Sequence, residues 1–472
     1  MPLSLLIIVA IAFALFALNL YRVLNVSLTH DEAATFWDYI TNSYINIFRC
    51  NPPSANNHIL NTLSAKFFSH LFNAHSLVAF RFGSLVAYAI YLIYSAMLSL
   101  RLTQNAIASI AFFLLLNLNV YQFDFFALMR GYALSWAFML MSVYYMVVYL
   151  EYGKQKALIL LLISSILAVY ANLVTLHFFM AVIAVLLMYA ILNKEKRLPI
   201  IIYTILACAC LYFLMASFIA VLKKYNQFYY GGDEGLLNDT MLSVVKRTFS
   251  INFDSTALPI VYFSILVIVA IGFYWGIRLI KYKEAQSKLA IALWLLPVVV
   301  LLTVQLQHLV LDSKFILGRT AIFIYPLWVI PVAYTLANIQ VKKQTGVAIL
   351  AVCTLAMLFN FSSNFRLQKT FDWEYNAYDL AIMDRMKKAS IQKGRKITIR
   401  PFWLFAPSMN YYAATYYAKW CEPVVRDMAY WTNDTSYDFC YISRNDIRAI
   451  SPIYKPDTTI IMESGEYILM RK

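Results

Sequence analysis

The sequence has little charge for its length. Only 13% of its 472 residues are Asp, Glu, Lys or Arg, whereas 62% are hydrophobic. Soluble domains carry about 25% charged and about 45–50% apolar residues, so a water-facing surface is excluded for most of this chain. Long blocks of like charge are also missing, and the basic residues lie mainly in short connections between apolar runs. The net charge of +15 therefore indicates an orientation signal in a membrane protein and not a nucleic-acid-binding surface.

Cysteine and glycine motifs are scarce as well. The six cysteines form no CxxC pattern, and Cys208 and Cys210 lie inside an apolar run, where packing as small hydrophobic residues is the default. No glycine-rich loop of the nucleotide-binding type occurs among the 12 glycines. We therefore predict no required metal and no cofactor.

Long apolar runs, in contrast, are abundant. A helix needs about 20 apolar residues to cross a membrane, and about eleven windows of that kind occur. The first is too long for a signal-peptide core of about 7–15 residues and lacks a basic segment before it, so we expect it to remain as a span. The sequence thus predicts an α-helical polytopic membrane protein, with spans near 3–21, 76–100, 104–122, 132–150, 157–176, 178–193, 199–221, 258–278, 290–308, 320–339 and 346–360.

The orientation of these spans follows from their connections. Basic residues concentrate in alternate connections, for example Lys194, Lys196 and Arg197 in one of them. The positive-inside rule places these connections in the cytoplasm, and an odd number of spans then puts the C-terminus outside. We predict a multi-pass protein of the inner (plasma) membrane, with its C-terminal segment facing the periplasm or extracytoplasmic side.

Two of the outer segments have recognisable patterns. In the loop 22–75, Trp37, Ile40, Tyr44 and Ile47 fall at helical spacing, as do the apolar residues from Leu60 to Leu71. This pattern predicts two interfacial amphipathic helices, separated by the helix breaker Asn51-Pro52-Pro53. The chain accordingly divides into a transmembrane domain, 1–360, that includes this loop, and a C-terminal domain, 361–472.

The C-terminal domain is polar enough to fold in water. Helices near 374–389 and Ser408–Trp420 alternate with strands, which predicts an extracytoplasmic α/β domain. Cys421 and Cys440 could form a disulfide there or remain free thiols. The predicted strands are Lys396–Phe402, Val424–Met428, Tyr437–Ile442, Thr458–Glu463 and Tyr467–Met470, with a hairpin around Ser464-Gly465.

The segment Thr29-His30-Asp31-Glu32 carries a pair of acidic residues just after the first span. It matches the T-x-x-E capping box, in which Thr29 and Glu32 close the start of a helix. Successive helical residues point about 100° apart, so Asp31 and Glu32 cannot both face one site. If one of them is catalytic, the other caps or orients. A purely capping role for both is the alternative.

Polar and basic residues complete the set of candidates. Asn57, His58 and Asn61 share a helix face and could bind a hydroxyl-rich or phosphate-bearing ligand, or could simply be hydrated at the membrane surface. By the predicted topology, Arg81, Arg130 and Arg319 all lie near the outer leaflet. Arginines in or beside spans face protein or a cavity and suit phosphate, although each could instead reach to the interface. Asp124 is the acidic residue close in sequence to Arg130.

In this order, these residues resemble the motifs of the GT-C glycosyltransferases, in particular the bacterial relatives of protein O-mannosyltransferases and of the aminoarabinose transferase that acts on lipid A. The resemblance covers about residues 1–360. The Asp31-Glu32 pair matches the family's acidic pair at the start of the first outer loop. Ile59 replaces the usual proline of the Asn-His-Pro-Leu element. The other matching motifs are Asn57-His58-Ile59-Leu60, Arg81-Phe82-Gly83-Ser84, Arg130-Gly131-Tyr132-Ala133-Leu134, and Gly318-Arg319-Thr320 followed by Pro326 and Pro331.

The resemblance implies transfer of a sugar from a polyprenyl phosphate to an acceptor hydroxyl of a protein, lipid or glycan outside the membrane. It implies catalytic roles for Asp31 and Glu32 and binding of the donor phosphate by Arg130, Arg319 and Arg81. His58, Asn57, Asn61, Asp124 and Tyr132 would contact the substrates. A transporter or flippase of lipid-linked sugars is the main alternative, and a structural protein whose tail recruits partners is another. A transporter should place polar or broken helices near the membrane midplane.

Overall fold

The structure is a computed structural model, and it describes most of the chain. The described residues are 3–72, 76–250, 285–338, 343–424, 436–449, 454–457 and 466–472, with single helical residues between 259 and 274. The predicted span at 258–278 lies almost entirely outside them.

Seven of the described helices are long and apolar enough to cross a membrane. Large apolar side chains on them remain exposed to their surroundings, such as Phe13 at 74%, Phe213 at 80% and Phe359 at 74%. Surfaces of this kind are stable in lipid and not in water, so the chain is an integral membrane protein. The seven helices are Leu3–Asn25, Leu77–Leu102, Gly131–Tyr152, Leu173–Leu192, Lys194–Lys224, Ser287–Leu311 and Gln344–Asn364.

Three further predicted spans differ from this simple form. The windows 157–176 and 320–339 correspond to the shorter helices Gln155–Ala171 and Ile324–Asn338. The window 104–122 is a pair of helices, Ala106–Asn117 and Val120–Phe126, bent by 67°. The count of eleven spans and their orientation therefore stay a prediction.

The bend has a local cause at Asn119. Its side-chain oxygen accepts a hydrogen bond from the backbone N–H of Gln122 at 2.9 Å, which makes Asn119 the N-cap of the second helix. An N-cap residue has extended backbone geometry, so a helix cannot continue through it. A composition window does not register this side-chain bond, which is why the sequence pattern suggested one straight span.

The chain forms two compact units, each assembled from several stretches. The first, here called the membrane unit, comprises Met1–Leu20, Ile45–Ser64 and Phe82–Phe365. The second, here called the C-terminal unit, comprises Tyr21–Tyr44, Ala65–Arg81 and Arg366–Lys472. These units differ from the predicted domains 1–360 and 361–472 because two stretches of the outer loop and its borders belong with the C-terminal segment.

The outer loop contains three helical pieces where two were expected. Ile59–Leu71 is the second expected helix, whereas the first is split into His30–Thr35 with its continuation Phe36–Ile40, and Tyr44–Arg49. The amide of Asn42 donates to the carbonyl oxygens of Trp37 and Asp38 at 3.1 and 2.9 Å. Because a side chain then satisfies carbonyls that a further helical turn would use, the first helix ends there.

The described C-terminal segment contains a small mixed sheet in the order β1-β2-β4-β3. Its strands are β1 Ile399–Pro401, β2 Phe439–Ser443, β3 Lys455–Pro456 and β4 Tyr467–Arg471. β1 pairs parallel with β2, and the other two pairings are antiparallel. The helices Asp379–Lys393 and Ala406–Thr415 belong to the same unit. The predicted mixture of helices and strands is therefore confirmed.

Most individual predictions for this segment match an element, with a few exceptions. Both predicted helices and the strands at 396–402, 437–442 and 467–470 are present. The predicted strands Val424–Met428 and Thr458–Glu463 and the hairpin at Ser464-Gly465 lie outside the described residues, apart from Val424. Cys421 and Cys440 are both buried and are not joined by a disulfide, and burial raises the pKa of Cys421 to about 11.

Candidate functional site

The acidic segment of the C-terminal unit begins a helix in the way its sequence predicts. The Thr29 hydroxyl accepts a hydrogen bond from the backbone N–H of Glu32, and the Glu32 carboxylate accepts one from the backbone N–H of Thr29 at 3.0 Å. Both halves of the capping box are therefore present. The box fixes the register of the helix His30–Thr35, and so the directions of Asp31 and Glu32.

Glu32 also forms a buried ion pair with Arg81. The Nε and one terminal nitrogen of Arg81 donate to the two carboxylate oxygens at 2.8 and 2.7 Å, and neither side chain is exposed. The remaining donors of Arg81 bond to backbone carbonyl oxygens of Val23, Val26 and Ser27. All five N–H donors of this guanidinium group thus have acceptors within the protein.

This geometry separates the two acidic residues. Glu32 faces inward and holds Arg81, whereas Asp31 has 7% of its surface exposed and uses its backbone carbonyl to accept the Thr35 hydroxyl at 2.9 Å. The prediction that the two carboxylates cannot share one site agrees with this arrangement. Arg81, a predicted phosphate ligand, is placed as the partner of Glu32.

His58 lies in the membrane unit, and its surroundings are electropositive. Burial and then the charges of Arg130 and Arg319 lower the pKa of His58 well below its usual range. The imidazole is therefore neutral at neutral pH. Its ring packs edge-on against Tyr132 at 5.4 Å, and its Nε2 is buried without a hydrogen-bond partner among the residues that the structure describes.

Arg130 and Arg319 are positioned by different local structures. Arg130 is the N-cap of the helix Gly131–Tyr152, is 2% exposed, and donates to the side-chain oxygen of Asn56 at 3.1 Å. Arg319 lies in a short 3-10 helix, with its guanidinium 5.0 Å from the centre of the Tyr230 ring. Since the charges of both arginines lower the pKa of His58, these three predicted residues lie in one neighbourhood of the membrane unit.

Gly131 is required by close packing in this neighbourhood. A Cβ there would lie 2.0 Å from the carbonyl oxygen of Ala171 and 2.7 Å from the ring of His58. Any larger residue would displace the His58 ring or the start of the helix. The Arg-Gly-Tyr motif therefore has a steric reason for its glycine in this chain.

The other predicted contact residues are buried in the same unit. The Asn57 side chain donates to the carbonyl oxygen of Ile47 at 2.8 Å, which supports the preceding loop. Asn61 and Asp124 are 3% and 4% exposed. The Tyr132 ring packs against the Phe125 ring, with 4.6 Å between their centres, in an aromatic cluster at the N-terminal end of the helix Gly131–Tyr152.

Arg247 is a further cation of the membrane unit, and no sequence motif indicated it. Arg247, on the helix Leu242–Phe249, lies over the Tyr121 ring at 4.8 Å. A Cβ placed on Gly318 would lie 3.2 Å from the Tyr230 hydroxyl and 3.9 Å from the Arg247 Nε. A second arginine therefore approaches the residue next to Arg319. Its only signal in the sequence is the adjacent basic pair Lys246-Arg247.

Comparisons with known proteins show a structural similarity. No protein-family model and no curated protein sequence matches the chain. Among solved structures, it is similar to the crystal structure of ArnT from Cupriavidus metallidurans bound to undecaprenyl phosphate, over 98% of this chain and 97% of that one. The residues are 9% identical and the TM-score is 0.49.

Proposed function

We propose that this chain is a membrane glycosyltransferase that transfers a sugar from a polyprenyl-phosphate donor to an acceptor hydroxyl on the extracytoplasmic side of the membrane. The observation that carries this proposal is the neighbourhood of His58, Arg130 and Arg319, where two guanidinium groups act on a buried, neutral imidazole. A positive site within a helical membrane unit suits an anionic group on a lipid.

The positive potential has a second source in the helix Gly131–Tyr152. Arg130 occupies the N-cap position of this helix without a side-chain capping bond, and the helix dipole and the first backbone N–H groups at such an end favour an anion. Arginine adds a planar fork that matches phosphate oxygens. Neutral His58 can donate or accept one hydrogen bond without adding charge. These features together support a phosphate-binding role for this part of the membrane unit.

The proposed reaction makes modest chemical demands. The acceptor oxygen forms a bond to the anomeric carbon, the bond from that carbon to the phosphate oxygen breaks, and the acceptor proton passes to a carboxylate. The phosphate leaves as a weak base, so it needs cations and not a general acid. We assign the proton-accepting role to Asp31. Glu32 is then a positioning residue, because its carboxylate is bonded to Arg81 and Thr29.

Replacement of Arg130 and of Arg319 tests the phosphate site. We expect Arg130→Ala and Arg319→Ala each to weaken binding of undecaprenyl phosphate by about 10- to 100-fold, since hydrogen bonds to charged groups contribute about 1.5–3 kcal/mol. The Lys variants should recover part of the loss, because they keep the charge but lose the fork. Binding of undecaprenyl phosphate to purified protein and transfer of labelled sugar from polyprenyl-phosphate donors would measure both effects.

Arg101 offers a matched control. It lies at the far end of the helix Leu77–Leu102 and pairs with Glu151 at 2.5 Å. Arg101→Ala removes one arginine charge without touching the His58 neighbourhood, so donor binding should be unchanged. Full binding and turnover in both Ala variants at the candidate site would contradict the proposal.

The bent helix pair favours a second candidate function, which is movement of lipid-linked sugars across the membrane. Broken helices with polar residues are typical of transporters, and Asn117, Gln122 and Asp124 are buried around this bend. Liposomes containing the protein would separate the two functions. A flippase would change the leaflet of a polyprenyl-phosphate sugar without product, whereas an enzyme would form a glycosylated acceptor.

A further inference from the structure

Within the C-terminal unit, hydrogen bonds connect the region around the helix His30–Thr35 to the C-terminal segment of the chain. The backbone N–H of Leu28 donates to the Tyr412 hydroxyl at 2.7 Å, and the His30 ring nitrogen Nδ1 lies 2.8 Å from the carbonyl oxygen of Leu404. The Trp37 indole donates to the carbonyl oxygen of Pro407 at 3.2 Å. Each bond joins residues more than 300 positions apart, so the helix depends on distant parts of the chain for its placement.

Asn376 makes the most specific of these connections. Its side-chain oxygen accepts the backbone N–H of His30 at 2.9 Å, which is an orphan donor at the start of the helix. Its amide nitrogen donates to the Asp379 carboxyl group at 2.9 Å and to the Ser408 hydroxyl at 3.1 Å. Since oxygen and nitrogen are both engaged, the amide has one orientation, and it is 1% exposed.

The hydrogen-bond distances in this cluster favour a proton on Asp379. The Ser408 oxygen lies 2.5 Å from the Asp379 Oδ2 and 3.0 Å from the carbonyl oxygen of Phe405. A hydroxyl has one hydrogen, so it can donate to only one of these two acceptors. Both contacts become hydrogen bonds if Ser408 donates to Phe405 and a protonated Asp379 donates to Ser408.

The surroundings of Asp379 agree with a neutral acid. The side chain is fully buried, and no ion pair to it occurs among the described residues. Burial raises the pKa of Asp379 to about 7, although its hydrogen bonds with Asn376 and Ser408 oppose this shift. Asp379 interacts electrostatically with two titratable groups, Tyr412 and Tyr441. Burial raises the pKa of both phenols. Both phenols are uncharged when Asp379 titrates.

We propose that Asn376, Asp379 and Ser408 form a positioning cluster for the helix that carries Asp31 and Glu32, and that Asp379 acts there as an uncharged carboxylic acid. The C-terminal segment thereby sets the geometry of the acidic pair. The consequence for sugar transfer rests on the proposed function, whereas the structural part of the inference does not.

Two variants test the cluster in the full-length protein. Asn376→Ala removes the acceptor for the His30 N–H, so hydrogen exchange in residues 28–35 should become at least tenfold faster. Asp379→Asn keeps the shape of the neutral acid and leaves the Asn376 oxygen in place for the His30 N–H, so exchange there should remain close to the parent rate. Asp384 is an exposed acid on the same helix as Asp379. Asp384→Asn is therefore the matched control and should leave hydrogen exchange in residues 28–35 unchanged.

The pH dependence gives a readout that a simple packing role would not move. A carboxyl with a native pKa near 7 and an unfolded pKa of about 3.9 holds its proton more tightly in the folded state. Stability from this group is complete below about pH 4 and is lost as pH rises to about 7. Thermal unfolding of the parent and of Asp384→Asn should show this decline between pH 4 and 7, and Asp379→Asn should lack it.

The outcomes separate this inference from the proposed function. An unchanged pH slope in Asp379→Asn, or unchanged exchange at residues 28–35 in Asn376→Ala, would overturn the positioning cluster whatever the activity. Faster exchange and a flattened slope in a protein without transferase activity would uphold the cluster and reject the enzyme. In an active enzyme, Asn376→Ala should lower kcat at least tenfold with little change in the KM for donor, and Asp379→Asn should retain kcat above pH 8.

Discussion

At the scale of single residues, neighbours in sequence have different environments. Asp31 and Glu32 follow one another in a helical turn, but Glu32 is enclosed by Arg81 and Thr29 while Asp31 keeps a small exposed surface. The 100° step between helical residues produces this separation. The two carboxylates therefore have different environments within one helical turn.

We expect Asp31→Asn to reduce sugar transfer by about 100-fold or more, because the amide keeps the shape of the side chain but cannot accept a proton. The protein should still fold, since the capping box does not use the Asp31 side chain. Turnover and thermal stability of the purified variant would be measured together. Asp38→Asn, which removes a nearby acid, serves as the control, and near-normal turnover of the Asp31 variant would reduce Asp31 to a role at the helix start.

The capping box was predictable from the sequence because all its atoms lie within four residues. The ion pair from Glu32 to Arg81 was not, because it spans 49 positions and depends on how the loop folds back. The binding of the donor phosphate by Arg81, which the resemblance implies, stays a prediction. The link from His30 to Asn376 across 346 positions had no local signal at all.

At the scale of elements, the helix His30–Thr35 is short and depends on its first turn. Its cap and its buried ion pair share one residue, Glu32. An isolated helix of this length has almost no stability of its own, so these contacts and the packing of Phe36 against Phe80 and Tyr411 at 5.3 and 5.0 Å maintain it.

Two substitutions in this element should differ in severity. Thr29→Ala removes one cap and should destabilise the protein by about 0.5–2 kcal/mol. Glu32→Gln leaves the buried Arg81 charge without its counterion and should destabilise it by about 3–5 kcal/mol. Thermal unfolding in detergent would rank the variants, with Thr41→Ala, at an exposed hydroxyl, as the control. A Glu32→Gln protein as stable as Thr29→Ala would show that the ion pair contributes little.

Element type was easier to predict than element ends. Apolar windows located most of the membrane helices because length and composition alone define them. The ends at Asn42 and Asn119 were missed because single side chains, bonding to backbone, decide them. The helix Leu242–Phe249 was not predicted because it is short and carries no long apolar run.

At the scale of the whole molecule, the orientation of the chain remains a prediction with a direct test. With eleven spans and a cytoplasmic N-terminus, the C-terminal segment lies outside the cell membrane. A cysteine at the exposed position Glu422 should then react with an impermeant thiol reagent in sealed cells, in a background with Cys208, Cys210 and Cys353 replaced by Ser. A cysteine at Glu195, in a predicted cytoplasmic connection, should react only after lysis. The reverse pattern would contradict the topology.

The composition of the C-terminal unit has a consequence for how the protein is made. Its first stretch, Tyr21–Tyr44, leaves the ribosome early, whereas Lys369, Asn376 and Tyr412, which bond to Arg22, His30 and Leu28, are translated hundreds of residues later. The helix His30–Thr35 therefore lacks these hydrogen-bond partners until synthesis is nearly finished. A nascent or prematurely terminated chain lacks these partners, so we expect the stretch Tyr21–Tyr44 to remain unfolded in truncated products.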